Sequence, residues 1–288
     1  MPTSSSHPWT DLTRPISTGM PVVAGDPHVE ISTALTLERD GAWVSHLRLG
    51  SHTGTHVDAP AHLVAGGRTV DRLDLAELCG PAVILGLESL AGSGRHAPLT
   101  ADRLRPLIER FAPSGPETLP PRVLVHTGYA HNDPAHTGHP RTGHPHTGAH
   151  TGPDSAVGEH PYLTQDAARL LWDAGVRLLG IDTPSPDPSA PSEPPSEPPA
   201  GPPAGPPAGP QPAVNGLPVH RVFLGGDGIL VENLTGLGSF RPVRTPIETD
   251  WTARITLGVY PLPLAGRDGA PARVVARPRG TDERTPPC

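Results

Sequence analysis

Short apolar runs recur along the chain and predict β-strands. Each run is rich in leucine and β-branched residues, and its length is typical of a strand with at least one buried face. The runs cover residues 81–87, 122–126, 177–182 and 254–259.

Two segments between these runs carry apolar residues at the spacing of one helix face. One follows Thr100, and the other follows Thr164 and stops at Gly175, which are suitable residues for helix ends. Positions i, i+3, i+4 and i+7 are apolar in both segments, which indicates amphipathic helices packed on a core. Because strands and helices alternate, we expect the α/β (α+β) fold class with a mixed sheet. The apolar positions are Leu104, Leu107, Ile108 and Phe111 in the first helix, and Ala167, Leu170, Leu171 and Ala174 in the second.

Two low-complexity tracts interrupt this pattern. Residues 129–159 repeat histidine, threonine and glycine, and residues 184–213 are rich in proline, glycine and alanine. Neither tract carries enough apolar surface to offset the entropy cost of ordering it. We therefore expect one domain over residues 1–288 with two disordered insertions. The histidines of the first insertion could also chelate metal adventitiously.

Composition excludes several classes of function. All 22 basic residues are arginine, so the chain has no lysine for a Schiff base, for pyridoxal phosphate or for a Walker A loop. A net charge of −7 argues against a nucleic-acid partner. Cys79 and Cys288 suggest no disulfide framework, and the sequence contains neither a signal-peptide core nor an apolar run of about 18 residues. We expect a cytoplasmic protein that does not bind membranes.

Residues 51–62 concentrate metal-binding side chains. Taking His52 as the origin, His56, Asp58 and His62 lie at even offsets, so an extended backbone would place all four on one face. Gly54 would then leave room for an ion between the first two histidines. Imidazole and carboxylate groups are typical ligands of a hydrolytic Zn²⁺ or Mn²⁺ site. The alternative is a polar surface strand without a metal.

The same residues carry a family resemblance. The pattern His-x-Gly-Thr-His-x-Asp-x-Pro-x-His at residues 52–62, followed by Gly-Gly-Arg-Thr-Val-Asp at 66–71, resembles the cyclase-like metal-dependent hydrolases. This family includes bacterial kynurenine formamidases and isatin hydrolases. Further similar segments occupy residues 180–185, 229–234, 261–264, 268–269 and 271–273, so the resemblance extends from about residue 11 to 276 outside the two tracts.

The resemblance implies a fold, an assembly and a two-metal site. The fold would be a swivelling β/β/α domain around a mixed sheet, assembled as a homodimer or homotetramer. Two divalent ions, zinc or alternatively manganese, would bind, and His62 would transfer protons. The first ion would be held by His52, His56, Asp58 and Glu232, and the second by Asp58, His220 and Glu232.

The sequence itself gives some support to the two ligands outside the motif, His220 and Glu232. An even number of positions separates His220 from Glu232 across a glycine-rich turn, and a carboxylate in an apolar run needs a charge partner. The alternative is an arginine salt bridge for Glu232 and a surface position for His220.

The implied activity is hydrolysis of an aryl formamide such as N-formylkynurenine by metal-activated water. The formamidases carry a substrate-packing tryptophan where this chain has Val23, which leaves Trp43 and Phe223 as candidates to replace the ring. Alternatives are a cyclic amide or lactone hydrolase, a polyketide-pathway cyclase, and a metal-binding scaffold without activity. A serine hydrolase is disfavoured because the chain has no Gly-x-Ser-x-Gly elbow.

Overall fold

The computed structural model describes residues 9–23, 25–90, 96–111, 119–129, 160–188, 216–243 and 249–280. Short 3₁₀ turns at Pro60–His62, Val70–Arg72, Glu88–Leu90 and Leu237–Phe240 join some of the elements. The helices are α1 (Leu37–Asp40), α2 (Leu75–Leu78), α3 (Ala101–Phe111), α4 (Gln165–Asp173) and α5 (Pro218–Gly225). The strands are β1 (Thr10–Asp11), β2 (Glu30–Leu35), β3 (Val44–Arg48), β4 (His56–Asp58), β5 (Cys79–Gly86), β6 (Pro98–Leu99), β7 (Arg122–His126), β8 (Tyr162–Leu163), β9 (Leu178–Ile181), β10 (Ile229–Glu232), β11 (Trp251–Pro261) and β12 (Gly269–Pro278).

One mixed sheet dominates the fold, as the sequence predicts. Its order is β1-β12-β11-β5-β7-β9-β10-β4, and β4 also pairs with β12, so the sheet closes into a barrel. Strands β5, β7, β9 and β10 are parallel to their neighbours within this group, and the remaining pairings are antiparallel. The α/β class with a mixed sheet is therefore confirmed.

Alternation along the strands divides the core into two parts. In β5, Ala82 and Ile84 pack inside the barrel, whereas Val83 and Leu85 face the layer of helices α3, α4 and α5. Such alternation follows from the two-residue period of a strand, and a strand buried on both faces reads as a continuous apolar run. The predicted helices are also present, with Leu104 and Leu171 fully buried beneath them.

The parallel strands position the functional site because their carboxyl ends meet at one edge of the sheet. His126 ends β7, Ile181 ends β9, and Glu232 ends β10. In α/β proteins, ligands commonly bind outside the carboxyl ends of the parallel strands, both in open sheets and in barrels. The segments that follow these strands therefore converge on the same region.

The second predicted insertion begins later than the sequence suggests. Residues 184–188 are part of the folded structure, and Asp187 is fully buried there. Its side chain accepts hydrogen bonds from two backbone amides of helix α5, which helps to offset the entropy cost of ordering a proline-rich segment. Tyr129, expected in the first insertion, is half-buried at the end of a described segment. The rest of both insertions, residues 130–159 and 189–213, lies outside the described residues.

The hairpin formed by β2 and β3 stands apart from this core. Most of its residues are exposed, including Leu37, Trp43 and Leu47, of which Trp43 is 77% exposed. A two-stranded hairpin has little stability in water without a covering layer. Among the helices of the described ranges, none combines the length and apolar character required to cross a membrane.

Candidate metal centre

The antiparallel pairing of β4 with β10 builds the floor of the site. The register places His56 directly opposite Glu232 and Asp58 opposite Leu230. Directly opposed residues share one face of a sheet, and Leu230 packs in the layer beneath α5. His56, Asp58 and Glu232 therefore all point toward the helix layer.

Only part of the motif is extended. His56 and Asp58 share a face as predicted, but His52 lies in a turn and His62 in the 3₁₀ turn that begins at Pro60. The expectation of one extended run from His52 to His62 is wrong. Gly54 has a φ of +63°, which favours glycine and bends the chain before the strand, while proline cannot continue the ladder after it.

The role expected for Gly54 is also wrong. A Cβ at this position would lie 3.2 Å from Cγ1 of Ile16 and 3.7 Å from Cε of Met20, so it would not occupy the space of an ion. Glycine is needed here because of its backbone conformation.

The motif side chains nevertheless converge. Nδ1 of His52 lies 2.7 Å from Oδ1 of Asp58, and Nε2 of His56 lies 3.3 Å from the same oxygen. Nε2 of His56 is also 3.3 Å from Oε2 of Glu232. The other nitrogen of the His56 ring, Nδ1, contacts the carbonyl oxygen of Gly54 at 2.9 Å, which fixes the ring with Nε2 facing the carboxylates.

Helix α5 brings His220 to the same cluster. Its Nε2 lies 3.4 Å from Oδ2 of Asp58 and 3.3 Å from Oε1 of Glu232. Both His220 and Glu232 are buried, and the charge partners of Glu232 are histidines. The alternative of an arginine bridge and a surface histidine is therefore wrong. The even spacing of the two residues has no significance, because His220 is helical.

Asp187 holds His220 in place, a role that the sequence pattern did not predict. Oδ1 of Asp187 accepts a hydrogen bond from the Val219 amide at 2.7 Å, and Oδ2 accepts one from the His220 amide at 3.0 Å. Oδ2 also lies 2.6 Å from Nδ1 of His220. The carboxylate therefore caps the start of α5 and leaves Nε2 of His220 facing the cluster. An acidic residue two positions after the 180–185 segment was the available signal.

The sequence pattern also did not predict a site role for Asp268. It immediately precedes β12, and its Oδ2 lies 2.8 Å from Nε2 of His52 and 3.2 Å from Nδ1 of His62. The ring of His62 stands 4.2 Å from that of His52 and 5.9 Å from that of His220, measured between centroids. His62 therefore lies at the rim of the cluster, beside the predicted ligands.

Electrostatic attraction in the cluster outweighs the cost of burial. Burial favours the neutral forms of Asp58 and His56, yet the attraction between them keeps the pKa of Asp58 well below its usual value and that of His56 well above. Burial and Asp58 both raise the pKa of Glu232, but His220 and His56 outweigh them and lower it. Buried negative charge is thus balanced by protonated imidazoles, whose protons a divalent cation could replace.

The donor set fits a metal ion. Oε1 of Glu232 is buried and forms no hydrogen bond of good geometry in the described part of the chain; Nε2 of His220 lies 3.3 Å away as an ion-pair partner. A buried carboxylate oxygen without a well-formed hydrogen bond is costly. In each of three groups the potential ligand atoms lie within 4.8 Å of one another. Nitrogen and carboxylate ligands of this kind suit Zn²⁺ or Mn²⁺. The groups are His52–His56–Asp58, Asp58–His220–Glu232 and, at the rim, His52–His62–Asp268.

A cavity of about 220 Å³ opens over the cluster. Its walls include Met20, Val22, Val23 and Tyr129. Val23 therefore does lie at the pocket, but neither proposed replacement for the missing ring does. Trp43 is on the exposed hairpin, and Phe223 is fully buried against Trp172, with 5.7 Å between ring centroids. Tyr129 supplies an aromatic side chain at the wall instead.

A buried carboxylate anchors the segment that carries Tyr129. Asp182 accepts hydrogen bonds from the Thr127 amide at 3.0 Å and from the Gly128 amide at 3.1 Å. Oδ2 of Asp182 also lies 2.9 Å from Nδ1 of His126. The turn after β7 is thereby fixed to the end of β9, which places Tyr129 at the pocket.

Comparisons with known proteins agree with this architecture. The model of a family described as "Putative cyclase" matches residues 10–188. A kynurenine formamidase from Bacillus thuringiensis (strain Al Hakam) is 29% identical over 181 residues, covering 62% of this chain and 70% of that protein. The corresponding enzyme from Bacillus mycoides (strain KBAB4) has the same identity and coverage.

Solved structures extend the similarity over nearly the whole chain. One is described as a potential metal-dependent hydrolase with cyclase activity, with 26% identity, a TM-score of 0.58, and coverage of 96% of this chain and 100% of that one. Isatin hydrolase A from Labrenzia aggregata is similar in fold, with a TM-score of 0.66 at 20% identity and 93% coverage of each chain. This chain therefore belongs to the cyclase family and has the cyclase-like α/β fold.

Proposed function

We propose that this protein is a metal-dependent amidohydrolase that cleaves an aryl formamide such as N-formylkynurenine. The observation that carries the proposal is the convergence of buried imidazoles and carboxylates at metal-ligand distances, in which Oε1 of Glu232 lacks a well-formed hydrogen bond. In this proposal two ions bind, zinc or alternatively manganese. His52, His56, Asp58 and Glu232 hold the first, and Asp58, His220 and Glu232 hold the second.

The chemistry of amide hydrolysis divides between the ions and the protein. When bound, the ions would polarise the amide carbonyl and lower the pKa of water toward neutrality. His62 would accept a proton from the attacking water and deliver it to the leaving nitrogen as the carbon–nitrogen bond breaks, giving formate and an arylamine. Asp187 orients His220, and Asp58 and Glu232 balance the added positive charge.

The pocket favours an aryl group on the substrate. Met20, Val22 and Val23 offer apolar surface, and Tyr129 offers a ring that could stack on an aromatic leaving group. The relatives named kynurenine formamidase support the formamide class. Because Val23 stands where the formamidases carry a tryptophan, the assay below also compares substrates that differ in their aryl group.

The test is turnover by the full chain loaded with Zn²⁺ or Mn²⁺. N-formylkynurenine, formanilide and isatin would be compared, with formate or ring-opened product as the readout. We expect formate release from the formamides, and we expect Glu232→Gln to abolish it. Asp11→Asn serves as a surface control, since Asp11 lies on strand β1 and forms an exposed ion pair with Arg273 of β12.

The other results have distinct meanings. Faster opening of isatin than of either formamide would replace the formamide assignment with a cyclic amide hydrolase. Stoichiometric metal binding without turnover of any of the three compounds would overturn the proposed activity and favour a metal-binding scaffold.

We also propose that the chain forms a homodimer or homotetramer through the β2–β3 hairpin. Leu37, Trp43 and Leu47 expose a large apolar surface there, which a second copy would cover. Light scattering of wild type and of a Trp43→Ser, Leu47→Ser variant would measure the mass. A wild-type monomer, or an unchanged oligomer in the variant, would contradict this interface.

A further inference from the structure

Asp268 lies between His52, a proposed metal ligand, and His62, the proposed proton-transfer residue. A single oxygen, Oδ2, lies 2.8 Å from Nε2 of His52 and 3.2 Å from Nδ1 of His62. The residue is partly exposed, with 39% of its side chain accessible. His52 belongs to the proposed ligand set, whereas His62 belongs to proton transfer.

The backbone around Asp268 is fixed against the motif. The carbonyl oxygen of Asp268 accepts a hydrogen bond from the Ala59 amide at 2.9 Å, and Gly269 pairs with Asp58. A Cβ at Gly269 would lie 2.6 Å from the carbonyl oxygen of Val57 and 2.9 Å from Cε1 of His52. Glycine therefore permits a close approach of β12, which carries the preceding carboxylate to the two rings.

The contacts of each ring determine where its proton lies. Nδ1 of His52 faces Oδ1 of Asp58 in the buried cluster. If this nitrogen held a metal ion, Nε2 would carry the proton of the ring and would need an acceptor. Oδ2 of Asp268 is that acceptor. Nδ1 of His62 faces the same oxygen and donates to it, which leaves the lone pair of His62 on Nε2.

We propose that Asp268 is a positioning residue that fixes His62 in the Nδ1–H tautomer and orients its Nε2 for proton transfer. This inference rests on the proposed hydrolase function. Asp268 neither gains nor loses a proton in the cycle. Nε2 of His62 accepts the proton from water and passes it to the leaving nitrogen. Because the same oxygen also contacts His52, the carboxylate of Asp268 orients both a proposed metal ligand, His52, and the proposed proton-transfer residue, His62.

A purely structural role for Asp268 makes different predictions. If the residue served only to hold His52, its loss would reduce metal content and slow every substrate equally. If it acts through His62, the loss should depend on how much the leaving group needs a proton. An anilide nitrogen must be protonated to leave, whereas a nitrophenolate leaves without help.

The experiment compares Asp268→Ala, Asp268→Asn and His62→Ala with wild type in the zinc-loaded full chain. Asp11→Asn is the matched control, because Asp11 is similarly exposed and also forms an ion pair. For formanilide we expect kcat of Asp268→Ala to fall about 10–100-fold with KM nearly unchanged. For 4-nitrophenyl formate we expect a loss below about threefold when both substrates are assayed at a pH at which metal-bound water would already be ionised. Neither proton removal from water nor protonation of the leaving group by His62 is then required for this ester. Asp268→Asn, which keeps an acceptor oxygen, should retain more activity.

A double-mutant cycle and a spectroscopic readout complete the test. In His62→Ala, removal of Asp268 should have little further effect on formanilide turnover. Long-range ¹H–¹⁵N spectra of the imidazoles should show the Nδ1–H tautomer of His62 in wild type and its loss in Asp268→Ala. Equal losses on both substrates, additive effects in the cycle, or an unchanged tautomer would overturn the proposal. Failure of wild type to hydrolyse either compound would count against the hydrolase function, while the tautomer would still decide the role of Asp268.

Discussion

Replacing Asp187 with asparagine should weaken both the fold and the metal site. The substitution preserves the size of a fully buried side chain but removes its charge and one of its accepting oxygens. Oδ2 accepts from the His220 amide and contacts its Nδ1, and Oδ1 accepts from the Val219 amide. If the asparagine oxygen takes the position of Oδ2, its NH₂ group must face the Val219 amide, and two donors oppose each other.

The size of the effect follows from these contacts. A hydrogen bond to a charged group contributes about 1.5–3 kcal/mol, and a buried donor without an acceptor costs about 1–3 kcal/mol. Because one bond is lost and the others weaken, we expect the free energy of unfolding to fall by roughly 2–4 kcal/mol. Loss of the charged partner of His220 should also lower metal affinity by about 10–100-fold.

The assay is urea unfolding of the metal-free protein together with a competition measurement of zinc affinity. Asp74→Asn is the control, because Asp74 caps the exposed start of α2 through the Ala76 amide at 2.9 Å. Asparagine is as good a cap as aspartate, so this change should cost less than about 0.5 kcal/mol. If Asp187→Asn matched this control in stability and bound zinc like wild type, the positioning argument for His220 would be refuted.

Three further predictions address charge, metal content and packing. In the metal-free protein, burial opposes charge on His52, but Asp58 and Asp268 outweigh it and raise its pKa from 6.5 to about 9. The protonated His52 stabilises the folded state fully below pH 6.5, and this stabilisation is lost as the pH rises through 9. Urea unfolding in EDTA should therefore show a free energy of unfolding that falls between pH 6.5 and 9. A free energy that stays constant over this range would contradict the raised pKa. Glu232→Gln should lower the metal content measured by elemental analysis, because the carboxylate is common to both proposed ligand sets, and unchanged content would exclude it as a ligand. Gly86→Ala should cost about 1–3 kcal/mol in unfolding experiments, because its Cβ would overlap the ring of Trp251, and a neutral result would mean that the ring can shift.

Local features of the fold were readable from the sequence because they depend on neighbouring residues. Buried residues recur at a regular spacing in helices α3 and α4, and they form continuous apolar runs in β5, β7, β9 and β11. The motif histidines and Asp58 could be recognised for the same reason, since their types and spacing are local. The prediction of one extended segment from residue 52 to 62 was wrong because the backbone bends at Gly54 and enters a 3₁₀ turn at Pro60.

The assembled site depends on contacts that sequence spacing does not encode. Asp268 and His52 are 216 positions apart, and Asp187 and His220 are 33 apart, so no periodicity connects either pair. Each contact exists because a strand register or a helix docking angle brings two remote segments together. A buried aspartate in a proline-rich segment looks like any other acidic residue until its partners are known.

The sequence by itself determined strands β5, β7, β9 and β11, helices α3 and α4, the mixed α/β class and the chemical types of the candidate ligands. It could do so because propensity, burial period and side-chain chemistry are properties of local sequence. Tertiary structure alone decided that Glu232 lies opposite His56, that Asp187 orients His220, and that one oxygen of Asp268 serves two histidines. These relations are set by pairing and packing between distant segments, where differences of an ångström decide whether donor and acceptor meet.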